Sequence, residues 1–281
     1  MPQTPMSVEE LKTMAATIRR DIIEMIHTAG SGHPGGSLSA TDIVTALYFR
    51  VMRIDPQNPD WPDRDRFILS KGHACPVWYA ALAERGYYDK SHLGTLRKTN
   101  SILQGHADMI KTPGVDMTVG SLGQGFSAGL GMALSGKLRN KDYHVWVVIG
   151  DGEMQEGAIW EAAMAAAKFK ADNLLAIVDF NALQGGVTLD VMPSLEPYVP
   201  KWEAFGWHAI EIPGHDITAL LSAYHEARQT KGKPTVIVAR TVKGKGVSYM
   251  ENKVEWHGQA PCEEEAACAL EEIRSCLDEQ A

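Results

Sequence analysis

The sequence predicts an α/β protein in which helices cover both faces of a mostly parallel sheet. Short runs rich in β-forming residues alternate with helical patterns along the chain, as they do when helices connect parallel strands. The 281 residues include 26 glycines, which fall at the ends of apolar segments, where tight turns are needed. A hydrophobic content of 44% suits one compact core, and we therefore expect a single domain over residues 1–281.

The chain is expected to begin and end with a helix. Near the start, apolar residues recur at helical spacing, and Ser7 and Glu10 have the spacing of a capping box. The predicted N-terminal helix covers residues 7–29. An acidic helical pattern predicts a C-terminal helix over residues 262–278, which is either a solvated terminal helix or a surface for a partner.

Five strands are predicted between these two helices. They cover residues 66–70, 145–149, 174–179, 207–212 and 235–241. Helical patterns fall at residues 40–51, 126–138 and 158–170. The glycine-rich residues 31–36 are expected to form a loop. Residues 185–200 lack a clear period and are expected to form a long loop, which in a compact domain is more often functional than not.

Composition and charge favour work on small molecules. The formal net charge is −8 and basic residues do not cluster, whereas nucleic acids and anionic membranes are bound by concentrated positive charge. The four basic residues from Arg240 to Lys253 are explained at least as well by a solvated loop as by a substitute phosphate site. No apolar run approaches the roughly 20 residues of a membrane span, and the N-terminus does not resemble a signal peptide. We therefore expect a cytoplasmic protein with no nucleic-acid or membrane partner.

Polar residues follow two of the predicted strands. Asp151 lies in Gly-Asp-Gly directly after one strand, and Asn181 follows the next. Because the carboxyl ends of parallel strands meet at one edge of a sheet, both side chains can face one point. A carboxylate, an amide oxygen and a main-chain carbonyl just beyond Asn181 form an incomplete oxygen shell, which Mg²⁺ or Ca²⁺ accepts together with phosphate oxygens. Gly-Asp-Gly by itself is also an ordinary turn.

A second glycine-rich segment, at residues 120–125, opens the helix predicted at 126–138. Backbone N–H groups at the start of a helix favour an anion. Taken alone, the segment is better explained by tight packing of Gly129 and Gly131 against a neighbouring element. Beside Asp151, however, it indicates a second wall of an anion site.

Four of the ten histidines lie in loops beside glycine, where a side chain can point into a cleft. They are His33, His73, His106 and His257. Each of them alone is more often a surface residue or a hydrogen-bonded core residue. Their importance therefore depends on the motifs that surround them.

Five motifs in order resemble transketolase from Ser31 to Pro261. They are Ser-Gly-His-Pro-Gly at 31–35, Asp-Arg-Phe-Ile-Leu-Ser-Lys-Gly-His-Ala at 65–74, Gly-Ser-Leu-Gly-Gln-Gly at 120–125, Gly-Asp-Gly at 150–152 and His-Gly-Gln-Ala-Pro at 257–261. Asn181 follows Asp151 by thirty positions, which is similar to the thiamine-diphosphate signature. Two departures from the family are Phe180 before that asparagine, where a second asparagine is usual, and Leu-Gln-Gly-Gly at 183–186.

The resemblance implies the PP-type fold that binds the diphosphate of thiamine diphosphate. It implies that Asp151, Asn181 and the carbonyl of Leu183 bind the metal, which would be Mg²⁺, with Ca²⁺ or Mn²⁺ as substitutes. Cofactor contacts are implied for His73, Gly120, Ser121, Leu122, Gly152, Glu153, Asn181 and His257. His33, His257 and His106 would be catalytic, handling substrate hydroxyls and carbonyl protons with imidazoles of near-neutral pKa.

The implied reaction is the transfer of a two-carbon ketol unit between sugar phosphates. The cofactor supplies the carbanion that attacks a ketose carbonyl. The family's pyrimidine-binding domain, with the glutamate that activates the cofactor, has no match in this sequence. The resemblance is therefore to the N-terminal subunit of a two-gene transketolase, which would work with a complementary C-terminal subunit in a heterotetramer of two plus two.

Two alternatives stay open. The chain could be half of another thiamine-diphosphate enzyme, such as a deoxyxylulose-phosphate synthase or a two-subunit decarboxylase, although Gly-His-Pro-Gly and Ser-Leu-Gly-Gln-Gly favour transketolase. It could also be a non-catalytic module that kept the fold. Against this second alternative, His33, His73, Asp151 and Asn181 are all present.

Overall fold

The structure is a computed structural model that describes residues 5–185, 187–188 and 196–278. The strands are β1 (Arg66–Leu69), β2 (Val145–Gly150), β3 (Leu174–Phe180), β4 (Leu183–Gln184), β5 (Val187–Thr188), β6 (His208–Pro213) and β7 (Thr235–Arg240). The helices are α1 (Val8–Ala29), α2 (Pro34–Ser39), α3 (Thr41–Ala46), α4 (Cys75–Arg85), α5 (Gln124–Leu138), α6 (Gly157–Lys168), α7 (Tyr198–Ala204), α8 (Ile217–Gln229) and α9 (Glu263–Asp278).

The five predicted strands form one parallel sheet. Its order is β1-β2-β3-β7-β6, and every neighbouring pair is parallel. Strands β2 and β3 are buried along their whole length, as expected for central strands covered on both faces. The predicted α/β class is therefore confirmed.

Helices cover both faces of the sheet. Successive side chains of a strand point to opposite faces. On β2, Val147 lies against Gly129 of α5, while the ring of Trp146 packs edge to face on Tyr224 of α8 at 5.3 Å. Helices α5 and α8 therefore lie on opposite sides of the sheet, as predicted.

The N-terminal helix begins and ends where the sequence indicated. The main-chain N–H of Ser7 donates to Glu10 at 2.6 Å, and that of Glu10 donates to the Ser7 hydroxyl at 3.2 Å, which completes the capping box. The helix ends at Gly30, whose φ of 61° is left-handed. Helix α9 matches the predicted C-terminal helix and packs against α1.

Three local predictions need correction. Residues 31–36 are not all loop, because α2 begins at Pro34, whose fixed φ suits the first turn of a helix. The helix predicted at 40–51 is α3 followed by a π-helical turn at Leu47–Val51. Of the loop predicted at 185–200, the structure describes the pairing of β4 with β5 and the start of α7 at Tyr198, and the remaining residues lie outside the described ranges. Within the described ranges, no helix is long and apolar enough to cross a membrane.

Candidate active site

The carboxyl edge of the sheet brings Asp151 and Asn181 together. In the parallel register Gly150 pairs with Asp179, so the chain leaves both strands at the same level. One Asp151 oxygen, Oδ2, accepts hydrogen bonds from the main-chain N–H groups of Asn181 at 2.9 Å and Ala182 at 2.6 Å. The other oxygen accepts one from Gly152 at 2.8 Å. Three donors therefore fix the orientation of this carboxylate.

Most of the predicted site residues line one cavity of about 390 Å³ at this edge. From the predicted set, the lining includes His33, His73, Gly120, Leu122, Asp151, Gly152, Glu153, Asn181, Leu183 and His257. Three larger cavities, of about 500, 670 and 680 Å³, lie elsewhere and are lined by none of these residues. The chemistry that the sequence predicts is therefore collected in the smaller cavity.

Two predicted residues lie outside the cavity lining. His106 is exposed, and its ring would be 3.7 Å from a Cβ placed on Gly120, so the imidazole stands beside this glycine at the cavity mouth. Ser121 is exposed between two lining residues, Gly120 and Leu122. Both residues are thus close to the site without forming its wall.

Three imidazoles meet inside the cavity. The ring centroids of His33, His73 and His257 are separated by 5.1 to 5.4 Å. Burial, aided by the positive charge of Arg97, lowers the pKa of His33 to about 4. Burial, aided by Lys243, lowers the pKa of His257 to about 4. The expected near-neutral pKa values are therefore wrong for these two side chains, which are uncharged at pH 7.

Lys243 is a site residue that the sequence analysis missed. It is 2% exposed, and its Nζ donates to the carbonyl oxygen of Leu183 at 3.2 Å and lies 2.8 Å from Nδ1 of His257. Burial lowers the pKa of Lys243 to about 8. Of the two interpretations, the solvated loop is wrong for Lys243, because β7 ends beside β3 and the chain then turns back into the cavity.

Lys71 is the second missed cation. It follows β1 at the same edge and is buried with Asp179, with which it forms an ion pair. Its Nζ also donates to the carbonyl of Gly36 at 2.7 Å. Asp179 accepts further hydrogen bonds from the hydroxyls of Ser39 and Thr241. Although burial opposes ionisation, Lys71 and these hydroxyls hold the pKa of Asp179 below its ordinary value.

Glu153 joins the glycine segments of the site to one another. Its Oε1 accepts from the main-chain N–H of Gly123 at 2.8 Å and from the hydroxyl of Ser70. Its Oε2 accepts from the N–H of Gly150 at 3.0 Å. Burial raises the pKa of this carboxyl. Both oxygens are thus engaged by the protein itself.

The residues of the cavity fit a diphosphate with a divalent metal. Lys243 brings a positive charge to the wall, whereas the charge of Lys71 is balanced by Asp179. Helix α5 begins at Gln124, two residues after the lining residue Leu122, and the start of a helix favours an anion. Oxygen atoms of Asp151, Asn181 and Leu183 supply the hard ligands that Mg²⁺ prefers. Among the described residues, no group of three or more His, Cys, Asp or Glu side chains is arranged to hold a metal. The partial shell described here needs no such group, because Asp151 is its one carboxylate and the other two ligands are an amide oxygen and a main-chain carbonyl.

Comparisons with known proteins agree with this geometry. The family described as "Transketolase, thiamine diphosphate binding domain" matches residues 10–275. A protein of Clostridium sp. named 6-deoxy-6-sulfo-D-fructose transketolase subunit SqwG is 47% identical over 265 residues, which cover 94% of this chain and 96% of that protein. Human transketolase is 42% identical over 269 residues, which cover 95% of this chain but only 42% of the human protein.

Comparison with solved structures points to the same family. The crystal structure of transketolase from Campylobacter jejuni matches with a TM-score of 0.90 at 32% identity, covering 96% of this chain and 43% of that one. The family match spans nearly the whole chain and includes all the motifs at the carboxyl edge of the sheet. The chain therefore belongs to the transketolase family and corresponds to its thiamine diphosphate binding domain.

Proposed function

We propose that the whole chain acts as one domain, the cofactor- and metal-binding subunit of a split transketolase. The reaction is the transfer of a two-carbon ketol unit between sugar phosphates. The observation that carries this proposal is the Asp151 carboxylate held against Asn181, beside two buried lysines and three imidazoles in one cavity. Mg²⁺ is usually bound by one or two carboxylates together with phosphate oxygens, and the neighbouring buried cation suits the negative charge of a diphosphate.

In this proposal, Asp151, the amide oxygen of Asn181 and the carbonyl of Leu183 bind the metal. The main-chain donors to Asp151 leave carboxylate lone pairs for a cation. The diphosphate is held by His73, Gly120, Ser121, Leu122, Gly152 and His257, together with Asn181. Lys243 adds a positive charge beside them. Glu153, whose oxygens are engaged by protein donors, serves this cofactor site by positioning its loops.

The cofactor, when bound, supplies the nucleophilic carbon that attacks the ketose carbonyl. His33 and His257 face the cavity as neutral imidazoles, and a neutral imidazole has one N–H donor and one acceptor nitrogen. They orient substrate hydroxyls and take part in proton transfer at substrate oxygens. His106, at the mouth beside Gly120, binds a hydroxyl of the donor sugar.

The active site is completed by a complementary C-terminal subunit that carries the pyrimidine-binding domain, in a heterotetramer of two plus two. Relatives of this length support a split arrangement, because the Clostridium protein that matches over 96% of its length is named a subunit. Sugar phosphates are cytoplasmic metabolites, so we also propose the cytoplasm as the site of action.

A sulfonated donor sugar is a second candidate. The 47% identical relative is named for 6-deoxy-6-sulfo-D-fructose, whereas a 40% identical relative from Phocaeicola vulgatus is named for apulose 4-phosphate. Both ketoses carry an anionic group away from the reacting carbonyl. Initial rates with fructose 6-phosphate and with 6-deoxy-6-sulfofructose, measured on the assembled enzyme, decide between phosphate and sulfonate.

Calorimetric titration of thiamine diphosphate with Mg²⁺ tests the proposed site. Removing even an indirect partner of a metal ligand costs roughly 10 to 100-fold in affinity, so Asp151→Ala in the assembled complex should cost more. The matched control is Asp60→Ala, which removes an exposed carboxylate away from the cavity and should bind as wild type does. Unchanged affinity of Asp151→Ala would place the metal elsewhere.

A further inference from the structure

A histidine outside the cofactor cavity contacts the chain segment that carries Lys243. His215 follows β6 at the carboxyl edge of the sheet, and its Nε2 accepts a hydrogen bond from the main-chain N–H of Val242 at 2.8 Å. Because a backbone N–H can only donate, Nε2 carries no hydrogen and the ring hydrogen lies on Nδ1. Val242 immediately precedes Lys243, so this hydrogen bond is one residue away from the buried cation of the site.

Close packing of two strand ends brings His215 to this segment. In the sheet register, Pro213 at the end of β6 pairs with Arg240 at the end of β7. The N–H of Gly214 donates to the carbonyl of Arg240 at 2.7 Å, and a Cβ on Gly214 would lie 2.5 Å from Cγ2 of Thr241. A glycine at this position therefore allows the residue after it to stand beside the residues that follow β7.

The other ring nitrogen of His215 contacts a buried carboxylate. Nδ1 carries the ring hydrogen and lies 2.7 Å from Oδ2 of Asp42, on α3. The same oxygen accepts from the guanidinium of Arg19, on α1. Although burial opposes ionisation, the charge of Arg19 and the hydrogen bond from His215 hold the pKa of Asp42 below its ordinary value. A charged, buried partner therefore fixes the orientation of the imidazole.

Arg19 contacts the same segment at its other end. Its Nε donates to the carbonyl oxygen of Lys245 at 3.1 Å. The turn between the two contacts is tight, because Gly244 has a left-handed φ of 80° and an added Cβ would lie 2.4 Å from the carbonyl oxygen of Met250. Residues 242–245 are therefore held at both ends by side chains from outside the segment.

The side chains that hold this segment do not line the cofactor cavity. His215, Asp42 and Arg19 line, with Lys245, a separate cavity of about 670 Å³. Lys243, in contrast, lines the cofactor cavity. The segment thus separates the two cavities, and the three side chains can reach the cofactor site only through it.

We propose that His215 is a positioning residue for the cofactor site, which fixes the turn carrying Lys243 through its acceptor on the Val242 N–H. This inference rests on the proposed cofactor role of the cavity. From this turn, the ammonium group of Lys243 reaches the carbonyl of Leu183 and Nδ1 of His257. A lysine is a point charge on a flexible stem, so the position of its main chain decides where that charge can lie.

Two substitutions separate the roles of the two ring nitrogens. In His215→Gln, the side-chain carbonyl can take the place of Nε2 and accept from Val242, whereas the contact with Asp42 is lost. In His215→Asn, the side-chain amide can donate to Asp42 from the place of Nδ1, whereas Val242 loses its acceptor. Each variant loses one hydrogen bond, so urea unfolding should show similar losses of stability for both.

Cofactor affinity should differ between the two variants. Loss of an indirect partner of a metal ligand costs roughly 10 to 100-fold in affinity. In the assembled complex, we therefore expect His215→Asn to bind thiamine diphosphate with Mg²⁺ about 10-fold more weakly than wild type. His215→Gln should bind with nearly the affinity of wild type. Calorimetric titration measures both affinities.

His208 provides the matched control. Its Nε2 also lies 2.7 Å from a carboxylate, that of Glu226, but His208 begins β6 at the opposite edge of the sheet and does not line the cofactor cavity. His208→Asn and His208→Gln should therefore bind the cofactor equally well. A difference between Asn and Gln that appears only at His215 cannot come from the general effect of replacing a half-buried histidine.

Hydrogen exchange on the full chain without cofactor gives a second measurement. The amide of Val242 should exchange faster in His215→Asn than in wild type and should stay protected in His215→Gln. Equal cofactor affinities of the two variants, or a Val242 amide as protected in His215→Asn as in wild type, would overturn the positioning role while wild-type binding keeps the proposed function. Absence of thiamine diphosphate binding by the wild-type complex would overturn the proposed function and this inference with it.

Discussion

The Nζ atom of Lys243 lies 2.8 Å from Nδ1 of His257. An ammonium group can only donate hydrogen bonds, so Nδ1 accepts and the ring hydrogen of the neutral imidazole is left on Nε2. The same Nζ donates to the carbonyl oxygen of Leu183, the proposed main-chain metal ligand. One buried cation therefore links the metal side of the cavity to its imidazole side.

Replacing Lys243 should release His257 from this charge. In Lys243→Met we expect the pKa of His257 to rise from about 4 toward its ordinary range, without reaching it, because burial is the larger cause of the shift. Titration of the imidazole signals by NMR measures this change. Lys253→Met, at an exposed position, is the control. An unchanged pKa of His257 in Lys243→Met would show that the charge of Lys243 does not affect this imidazole.

The depressed pKa of His33 predicts a dependence of stability on pH. The folded imidazole takes up a proton near pH 4, whereas an unfolded one does so near pH 6.5. Between these values the unfolded state binds more protons, so the free energy of unfolding falls as the pH falls. In His33→Gln this part of the slope should disappear, and in the surface variant His225→Gln it should remain. Urea unfolding at several pH values measures it, and equal slopes for wild type and His33→Gln would contradict the account.

Glu153 should support both stability and cofactor affinity. In Glu153→Ala the N–H groups of Gly123 and Gly150 and the hydroxyl of Ser70 lose their acceptor. Each buried donor left unsatisfied costs about 1–3 kcal/mol. Urea unfolding should show this loss, while the exposed Glu203→Ala should show almost none. Wild-type stability in Glu153→Ala would mean that the segments around Ser70, Gly123 and Gly150 hold their positions without this carboxylate.

Removing one partner of the ion pair between Lys71 and Asp179 should destabilise the protein more than removing both partners. Both residues are buried, and Lys71→Met leaves the carboxylate without its cation, at a cost of about 3–5 kcal/mol. Adding Asp179→Asn should recover part of that loss in a double-mutant cycle. Lys12→Met removes an exposed pair with Glu9 and should cost less than about 1 kcal/mol. Strictly additive losses at Lys71 and Asp179 would rule out a coupled pair.

The sequence was enough to predict those site residues whose position is determined by a local pattern. Asp151 and Asn181 each follow a strand with a clear pattern, and parallel pairing then forces both to the same edge. Lys71 and Lys243 also follow strands. A lysine after a strand is usually solvated, and nothing in the neighbouring sequence indicates that these two are buried. Their burial depends on how the chain turns after β1 and β7.

The histidine pKa values show a second limit of prediction from the sequence. His33, His73 and His257 come from three distant loops, and their mutual burial lowers their pKa values. Sequence motifs could identify these residues but not how much water the assembled cavity excludes. Helix α2 was missed for a related reason, because its Pro-Gly-Gly start has low helical propensity and is stabilised by packing in the core.

In the proposed split enzyme, this chain holds the cofactor and metal yet needs a second subunit for turnover. The most direct measurement is a ketol-transfer assay with thiamine diphosphate and Mg²⁺, run with this chain alone, with the complementary subunit alone and with both. We expect turnover only in the mixture, and none when the mixture contains Asp151→Ala. Robust turnover by this chain alone would contradict the account, because an activating carboxylate would then have to lie within it, with Glu156 as the first to test.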